Sequence, residues 1–325
     1  MGGDCRRSYT PRPVLRPRAI RATAWGVLAL GVAAPLLRKR VALPPIVSQT
    51  IAYGAPLGLC VVVRRSRGRD AAVCALQMWA YLAAYKSPHD DPEAQLQRVR
   101  VDYPIVLDRA LGLGELPTVR LQRALARAGP DGARWRALDR VLVWAHWSWF
   151  MVPHGSIGYI LVRHPRGFTR AAVMTYAVFN LGASVYWLLP TAPPWWSVSA
   201  RDGGPAVRRM MVEYGEHFWK DGWEPLYSVF GGNPLAAMPS LHFATSLMAA
   251  LLLAEVGPVA GALGFTYAAT LGFALVYLGE HYVVDLLAGA ALTIAVRRAE
   301  FRAAPAIARF GRAISALEAM AQASG

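Results

Sequence analysis

Residues 237–298 decide the fold, and they read AMPSLHFATSLMAALLLAEVGPVAGALGFTYAATLGFALVYLGEHYVVDLLAGAALTIAVRR. Glu255 and Glu280 divide this stretch into three apolar segments, Ser240–Ala254, Val256–Gly279 and His281–Val296. A helix needs about 20 apolar residues to cross the core of a bilayer, and these segments approach or exceed that length. Helices joined by such short connections run antiparallel to each other. The stretch therefore predicts three consecutive transmembrane helices.

Further apolar segments precede this stretch. Two of them, Val141–Val162 and Ala171–Leu189, contain no Asp, Glu, Lys or Arg and are long enough to span. Val41–Val63 also spans easily, whereas Ala71–Tyr85 spans only if its flanking side chains snorkel, and Ala22–Leu37 either spans or lies on the surface. We expect an all-α, polytopic membrane helix bundle. Six core transmembrane helices begin with the segment at residue 71, and one or two N-terminal helices precede them.

The composition supports a membrane protein. The chain has 325 residues, 35 Lys and Arg against 20 Asp and Glu, and a net charge of +15, yet 55% of it is apolar and only 17% charged. Soluble domains carry about 25% charged residues. A nucleic-acid-binding protein is excluded because its basic residues would form polar faces, and three cysteines exclude a disulfide scaffold. The expected partner is a lipid substrate in the membrane, and the sequence carries no signal for an oligomeric state.

The same reasoning divides the chain into four parts. Residues 1–21 hold six Arg and three Pro and are expected to form a disordered, basic cytosolic tail. Residues 22–70 are assigned to the extra N-terminal membrane helices, and residues 71–298 to the main membrane domain. Residues 299–325 are expected to form a cytosolic tail, either as a surface-lying helix or as a loose segment.

Polar residues gather at three helix ends that the hairpins place on one side of the membrane. The three motifs are Pro190-Thr-Ala-Pro-Pro-Trp195, Met238-Pro-Ser-Leu-His242 and Gly279-Glu-His-Tyr-Val-Val-Asp285. The connection between the first two, Pro190–Pro239, is rich in Trp, a residue that favours the membrane–water boundary. A site at these ends would meet a substrate whose tail is buried and whose polar group is exposed.

The residue types in these motifs suit phosphoryl transfer. His281 and Asp285 share one helix face, so the carboxylate can hold one ring nitrogen and leave the other as a nucleophile or base. Ser240 can cap the helix on which His242 lies, and free N–H groups at a helix start bind anions. One histidine would attack phosphorus while the other protonates the leaving oxygen.

Other interpretations of the same residues stay open at this point. Each histidine taken singly is compatible with a polar residue at a helix mouth, and the His281–Asp285 pair with a local hydrogen bond. His242, His281 and Asp285 are also suitable ligand types for a metal, although their spacing does not require one.

The three motifs resemble the type 2 phosphatidic acid phosphatase superfamily, over roughly residues 100–297. Pro239-Ser-Leu-His242 is similar to the second signature of that superfamily, and His281, Asp285 and Gly289 to the third. The phosphatases' first-signature Lys and Arg-Pro are absent around Pro190–Trp195, and their Ser-Arg pair is replaced by Ala274 and Leu275. Both departures resemble the inositolphosphotransferase branch, which includes inositol phosphorylceramide synthase-like enzymes.

The resemblance implies a role for each matching residue. His281 would be the nucleophile that forms a phospho-histidine, Asp285 would orient it, and His242 would act as acid and then as base. The resemblance implies no metal and no cofactor. We expect Ser240, Lys220 and Trp195 to contact the substrate. The absent family cations leave the phosphate short of positive charge, and Arg208, Arg209, Lys220 and basic residues of Lys86–Arg140 are the candidates to supply it.

Basic residues favour one orientation in the membrane. The turn Arg163–Arg170, the cluster Arg64–Arg69 and the C-terminal tail are all Arg-rich, and all lie opposite the motifs. The positive-inside rule then predicts an extracytoplasmic site, most simply at the cell membrane. The first functional hypothesis is a metal-independent lipid phosphotransferase that moves a phospho-headgroup, with phosphoinositol as the group that the branch implies. The alternatives are a phosphatase acting on phosphatidic acid or polyprenyl phosphates and a non-catalytic membrane scaffold.

Overall fold

The computed structural model describes residues 17–38, 40–86, 92–126, 135–201, 207–230 and 232–323. Most of the predicted N-terminal tail lies outside these residues. The described part of the chain is predominantly helical and contains no β-strand beyond two isolated bridges, which confirms the all-α class. The helices are α1 (Pro17–Leu37), α2 (Pro45–Ala52), α3 (Gly54–Val62), α4 (Arg67–Lys86), α5 (Pro92–Arg98), α6 (Asp102–Leu111), α7 (Pro117–Leu125), α8 (Ala137–Trp147), α9 (Met151–Arg163), α10 (Pro165–Leu188), α11 (Pro194–Arg201), α12 (Met210–Trp219), α13 (Trp223–Phe230), α14 (Leu241–Val256), α15 (Pro258–Tyr277) and α16 (Val283–Gln322).

The chain is an integral membrane protein, as its apolar helices indicate. Four helical stretches combine the length and hydropathy needed to cross a bilayer: Pro17–Leu37, Pro45–Val62, Pro165–Leu188 and Pro258–Tyr277. Leu241–Val256 is a shorter apolar helix. The first of these stretches contains the segment that the sequence left undecided between spanning and lying on the surface, and it is 21 residues long.

Two of the predicted continuous spans are interrupted, and proline explains both interruptions. Val141–Val162 divides into α8 and α9, with Pro153 in the first turn of α9. A proline has no N–H for the carbonyl four residues earlier and its ring collides with that group, so the helix restarts just before it. Val41–Val63 divides into α2 and α3 in the same way, with Pro56 in the first turn of α3.

Two compact units make up the chain, Met1–Ala80 with Pro305–Gly325 and Tyr81–Ala304. In the first unit α1 packs against α2 and α3, and the end of α16 joins them. Its buried cluster contains Ile20, Ala24, Val61, Val62 and Ala321. Arg69 lies 3.0 Å from Glu318 and also donates to the carbonyls of Cys60 and Val63. The C-terminal segment is therefore helical to Gln322, and its end is packed rather than loose.

The second unit contains the three motifs. Within it α14 packs against α15, α9 and α10, while α8 packs against α15. At one end, Arg170 of α10, Glu255 of α14 and Arg297 and Glu300 of α16 form a cluster of ion pairs. The motif residues lie at the start of α14, the start of α16 and the loop that follows α10.

Candidate active site

His281 and Asp285 lie at the beginning of α16 and contact each other as their spacing predicts. The Nδ1 atom of His281 is 3.3 Å from Asp285 Oδ2, and the backbone N–H of Tyr282 donates to the same oxygen at 2.9 Å. Both side chains are buried, with Asp285 fully inaccessible. A buried carboxylate with these two donors holds the imidazole in one orientation.

His242 lies one residue into α14 and reaches the other nitrogen of His281. Its Nδ1 atom is 3.2 Å from His281 Nε2. Ser240 caps α14, because its hydroxyl accepts a hydrogen bond from the backbone N–H of Phe243 at 3.3 Å. The three side chains thus form one chain of contacts from Asp285 through His281 to His242.

The starts of α14 and α16 are held together by backbone contacts. The N–H of Ser240 donates to the carbonyl of Asp285 at 2.9 Å, and the Thr293 hydroxyl donates to the carbonyl of Ala244 at 2.9 Å. Gly289 permits this approach, since a Cβ atom there would lie 2.6 Å from the carbonyl oxygen of Ser240. The glycine that follows the His–Asp pair is therefore required by helix packing.

The proline-rich motif contacts the loops on either side of it. Thr191 forms isolated backbone bridges to Arg100 and to Ala236, so this part of the motif lies between two other loop segments. The hydroxyl of Tyr103 contacts the Thr191 hydroxyl at 2.9 Å and donates to the sulfur of Met238 at 3.1 Å. These contacts position the loop that leads into Ser240.

The connection between residues 86 and 140 also supports the site. Asp108 of α6 is fully buried and accepts a hydrogen bond from the backbone N–H of Val284 at 2.9 Å, at the start of α16. Burial raises the pKa of the Asp108 carboxyl above its ordinary value, while the backbone donors of Val283 and Val284 act in the opposite direction. This carboxylate was not among the candidates drawn from the sequence, because its partner is 176 residues away.

Two aromatic side chains pack against His242, one from the last turn of α8 and one from the break between α8 and α9. The ring of Trp149 is 4.2 Å from the His242 ring, and its Nε1 atom donates to the Thr245 hydroxyl at 2.9 Å. The ring of His146 stacks on His242 at 5.1 Å, centroid to centroid. The sequence analysis did not propose His146, although Pro153, which follows it in the chain, indicates a helix break nearby.

The predicted substrate-binding residues have different surroundings. Ser240 is buried at the helix start, and Trp195 donates its backbone N–H to Gly279 at 3.2 Å, close to His281. Lys220 is exposed in the turn Lys220–Gly222 after α12, and none of its described contacts reaches the histidines. Its predicted contact with substrate stays a prediction.

Among the candidate cations, Arg209 contacts side chains of two motifs, Trp195 and Glu280. Its guanidinium packs 4.1 Å above the Trp195 ring, and its Nε atom is 3.0 Å from Glu280 Oε1. Arg208 precedes α12 and instead pairs with Glu213, in the first turn of that helix. The sequence predicted Arg209 only as one of several possibilities and did not single out Glu280, whose partner is 71 residues away.

The described residues contain no group of three or more His, Cys, Asp and Glu side chains arranged to hold a metal. In the contacts above, both ring nitrogens of His281 are directed at protein atoms. The arrangement matches an acid–nucleophile pair with an orienting carboxylate.

Comparison with known proteins places this site in a family. The model of the PAP2 superfamily matches residues 131–298, just over half of the chain. The inositol phosphorylceramide synthase catalytic subunit aur1 of Schizosaccharomyces pombe is 28% identical over 163 residues, which cover 46% of this chain and 37% of that protein. The inositol phosphorylceramide synthase of Candida albicans is 28% identical over 159 residues, 45% of this chain and 32% of its own length. The matches span about a third of each relative, and no solved structure gives a significant match.

Proposed function

Because this chain belongs to the PAP2 superfamily and is a membrane enzyme acting on lipid phosphate, we propose that it is a lipid phosphotransferase. It moves a phospho-headgroup from one lipid to the hydroxyl of another through a phospho-histidine. The observation that carries the proposal is the continuous contact from Asp285 through His281 Nδ1 and Nε2 to His242.

The first half of the proposed reaction follows from this order of contacts. Asp285 keeps the proton of His281 on Nδ1, so Nε2 presents its lone pair to phosphorus. The phosphorus–nitrogen bond forms as the bond from phosphorus to the lipid oxygen breaks, and protonated His242 gives its proton to that oxygen. Since His242 Nδ1 and His281 Nε2 are 3.2 Å apart, the phosphoryl group must separate these two atoms when the substrate binds.

The second half runs in the opposite direction. Neutral His242 takes the proton from the hydroxyl of the acceptor lipid, whose oxygen then attacks phosphorus and releases His281. No metal enters either step of the proposal. Phosphoinositol is the proposed headgroup, and its support is that both similar proteins are inositol phosphorylceramide synthases.

The proposed site faces the extracytoplasmic side of the cell membrane. Its support is the distribution of basic residues, which concentrate in Arg64–Arg69, Arg163–Arg170 and the C-terminal segment, all predicted from the sequence to lie on the membrane side opposite the motifs.

The test is incubation of the purified protein with phosphatidylinositol, radiolabelled in its phosphoinositol group, and a ceramide acceptor. We expect a new phospholipid and the released diacylglycerol. His281→Ala and His242→Ala should each abolish turnover, while His217→Ala, a change at an exposed histidine of α12, should not. Rapid quenching of the wild-type enzyme should trap a protein-bound label that survives alkali and is lost in acid.

Two outcomes would contradict the proposal. Turnover that persists after His281→Ala would exclude the phospho-histidine. Release of water-soluble inositol phosphate without a new phospholipid would show that water is the acceptor and that the enzyme is a hydrolase.

A further inference from the structure

The ion pair between Arg209 and Glu280 lies beside the nucleophile and not on the outer surface. Glu280 directly precedes His281, and the side chains of Glu280 and Arg209 are 10% and 22% exposed. Two hydrogen bonds join the partners, from Nε to Oε1 at 3.0 Å and from Nη2 to Oε2 at 3.3 Å. The charges of Glu280, Arg209 and His281 all act on the side chain of His146.

The backbone around this pair is fixed. The N–H groups of Glu280 and His281 both donate to the carbonyl of Leu275 at 3.0 Å, which sets the turn after α15. Gly279 allows that turn, since it has φ of +85° and a Cβ atom there would lie 2.5 Å from the carbonyl oxygen of Arg208. The N–H of Met210 donates to Leu278 at 3.2 Å. Glu280 and Arg209 are thus held at a constant separation from His281.

Aromatic rings cover the guanidinium. Trp195 lies 4.1 Å from the Arg209 Cζ atom and Tyr227 lies 5.6 Å from it, measured to the ring centroids. Stacking on the rings stabilises the cation. Because the N–H donors lie in the plane of the guanidinium, the rings above it do not block them. A guanidinium has five donors, so Arg209 can hold an anionic oxygen in addition to Glu280.

A carboxylate next to this cation limits which phosphates are favourable. A phosphomonoester carries a charge of about −1.5 to −2 at pH 7, and Glu280 would repel it. A phosphodiester carries a single negative charge, so Glu280 repels it less, and the remaining N–H donors of Arg209 can hold its oxygen. If its headgroup also carries hydroxyls, those hydroxyls can donate to Glu280, because a carboxylate is an acceptor only.

We propose that Arg209 and Glu280 form the headgroup subsite of this enzyme and that it takes a polyhydroxylated phosphodiester. Arg209 holds the phosphate and Glu280 accepts hydrogen bonds from the hydroxyls of the polyol, next to His281. The inference rests on the proposed function and adds to it the residues that select the headgroup.

The experiment compares a hydroxylated donor with a headgroup that has no hydroxyl. The KM for phosphatidylinositol and the Ki of phosphatidylmethanol as a competitor are measured in detergent micelles for wild type, Glu280→Gln and Arg209→Gln. Both lipids are phosphodiesters of equal charge. KM and Ki do not depend on how much of a preparation is folded, so partial misfolding of a variant does not obscure the result.

Glu280→Gln should raise the KM for phosphatidylinositol by about tenfold, the usual effect of losing hydrogen bonds to a charged group. It should leave the Ki of phosphatidylmethanol within twofold of wild type. Arg209→Gln should raise both constants, because both lipids carry the phosphate. Glu213→Gln removes the carboxylate of the Arg208 ion pair and is the matched control, with both constants unchanged.

The subsite is overturned if Glu280→Gln leaves the KM unchanged, or if it raises KM and Ki in parallel, as a merely structural ion pair would. A wild-type enzyme that transfers nothing from phosphatidylinositol contradicts the proposed function itself, and this is seen before any variant is compared.

Discussion

At the scale of single residues, the orientation of one imidazole decides whether the proposed reaction is possible. His281 contacts Asp285 through Nδ1 and His242 through Nε2, and its ring is buried. Asp285 also accepts from the N–H of Tyr282. Both donors reach the same carboxylate oxygen, so what the carboxylate adds over a carboxamide is its negative charge beside the ring.

Asp285→Asn should therefore lower kcat by about 10²-fold or more, because a neutral amide no longer balances the positive charge that the His281 ring gains when its Nε2 bonds to phosphorus. The measurement is the initial rate of headgroup transfer, with thermal unfolding in detergent as a check on folding. Asp108→Asn is the matched control, since Asp108 supports the same helix start without touching a histidine. Its main effect should be a lower unfolding temperature, and its effect on kcat should be small. Wild-type turnover in Asp285→Asn would remove the orienting role.

At the scale of helices, the site depends on how closely two helix starts approach. Gly289 on α16 faces the carbonyl of Ser240, and Thr293 one turn later donates to Ala244. The distance between His242 and His281 is set by this packing, because each histidine lies at the start of one of the two helices.

Gly289→Ala should push the two helices apart and lower both stability and kcat, with a cost of about 1–3 kcal/mol in unfolding free energy for the overpacked contact. Thermal unfolding and transfer rate are measured on the same preparation. Gly158→Ala in α9 is the control, because a Cβ atom there meets no atom within 4 Å. It should be neutral or slightly stabilising. Unchanged activity in Gly289→Ala would show that the site tolerates a wider spacing.

Sequence patterns predict local features of these helices and miss the distant contacts. The three helices of residues 237–298, the cap at Ser240 and the His281–Asp285 pair all follow from spacing of a few residues. The breaks before Pro153 and Pro56 are also local features. The prediction of two continuous spans rested on the length of the apolar segments and did not include these prolines. Asp108 and Glu280 find partners 176 and 71 residues away, which a single sequence does not encode as a pattern.

At the scale of the whole molecule, the net charge of +15 is unevenly distributed. The sequence predicts that most of the excess lies in segments on the membrane side opposite the motifs, where basic residues would face an anionic membrane surface. Within the second unit, that opposite end also carries the Arg170, Glu255, Arg297 and Glu300 ion pairs. The positive-inside rule thus predicts an orientation from this charge, and in the proposed reaction the phosphate would depend on the few cations close to His281.

The orientation can be tested with cysteines placed at the two ends of the same unit. Gly222 is exposed in the turn after α12, on the predicted outer side, and Gly167 is exposed at the start of α10, on the predicted inner side. In a background without Cys5, Cys60 and Cys74, Gly222→Cys should react with a membrane-impermeant maleimide on intact cells. Gly167→Cys should react only after the membrane is permeabilised. The positive-inside rule demands this order, because Arg163, Arg166 and Arg170 surround the second position. The reverse labelling pattern would place the histidines on the cytoplasmic side, and the acceptor lipid would then have to be presented from the inner leaflet.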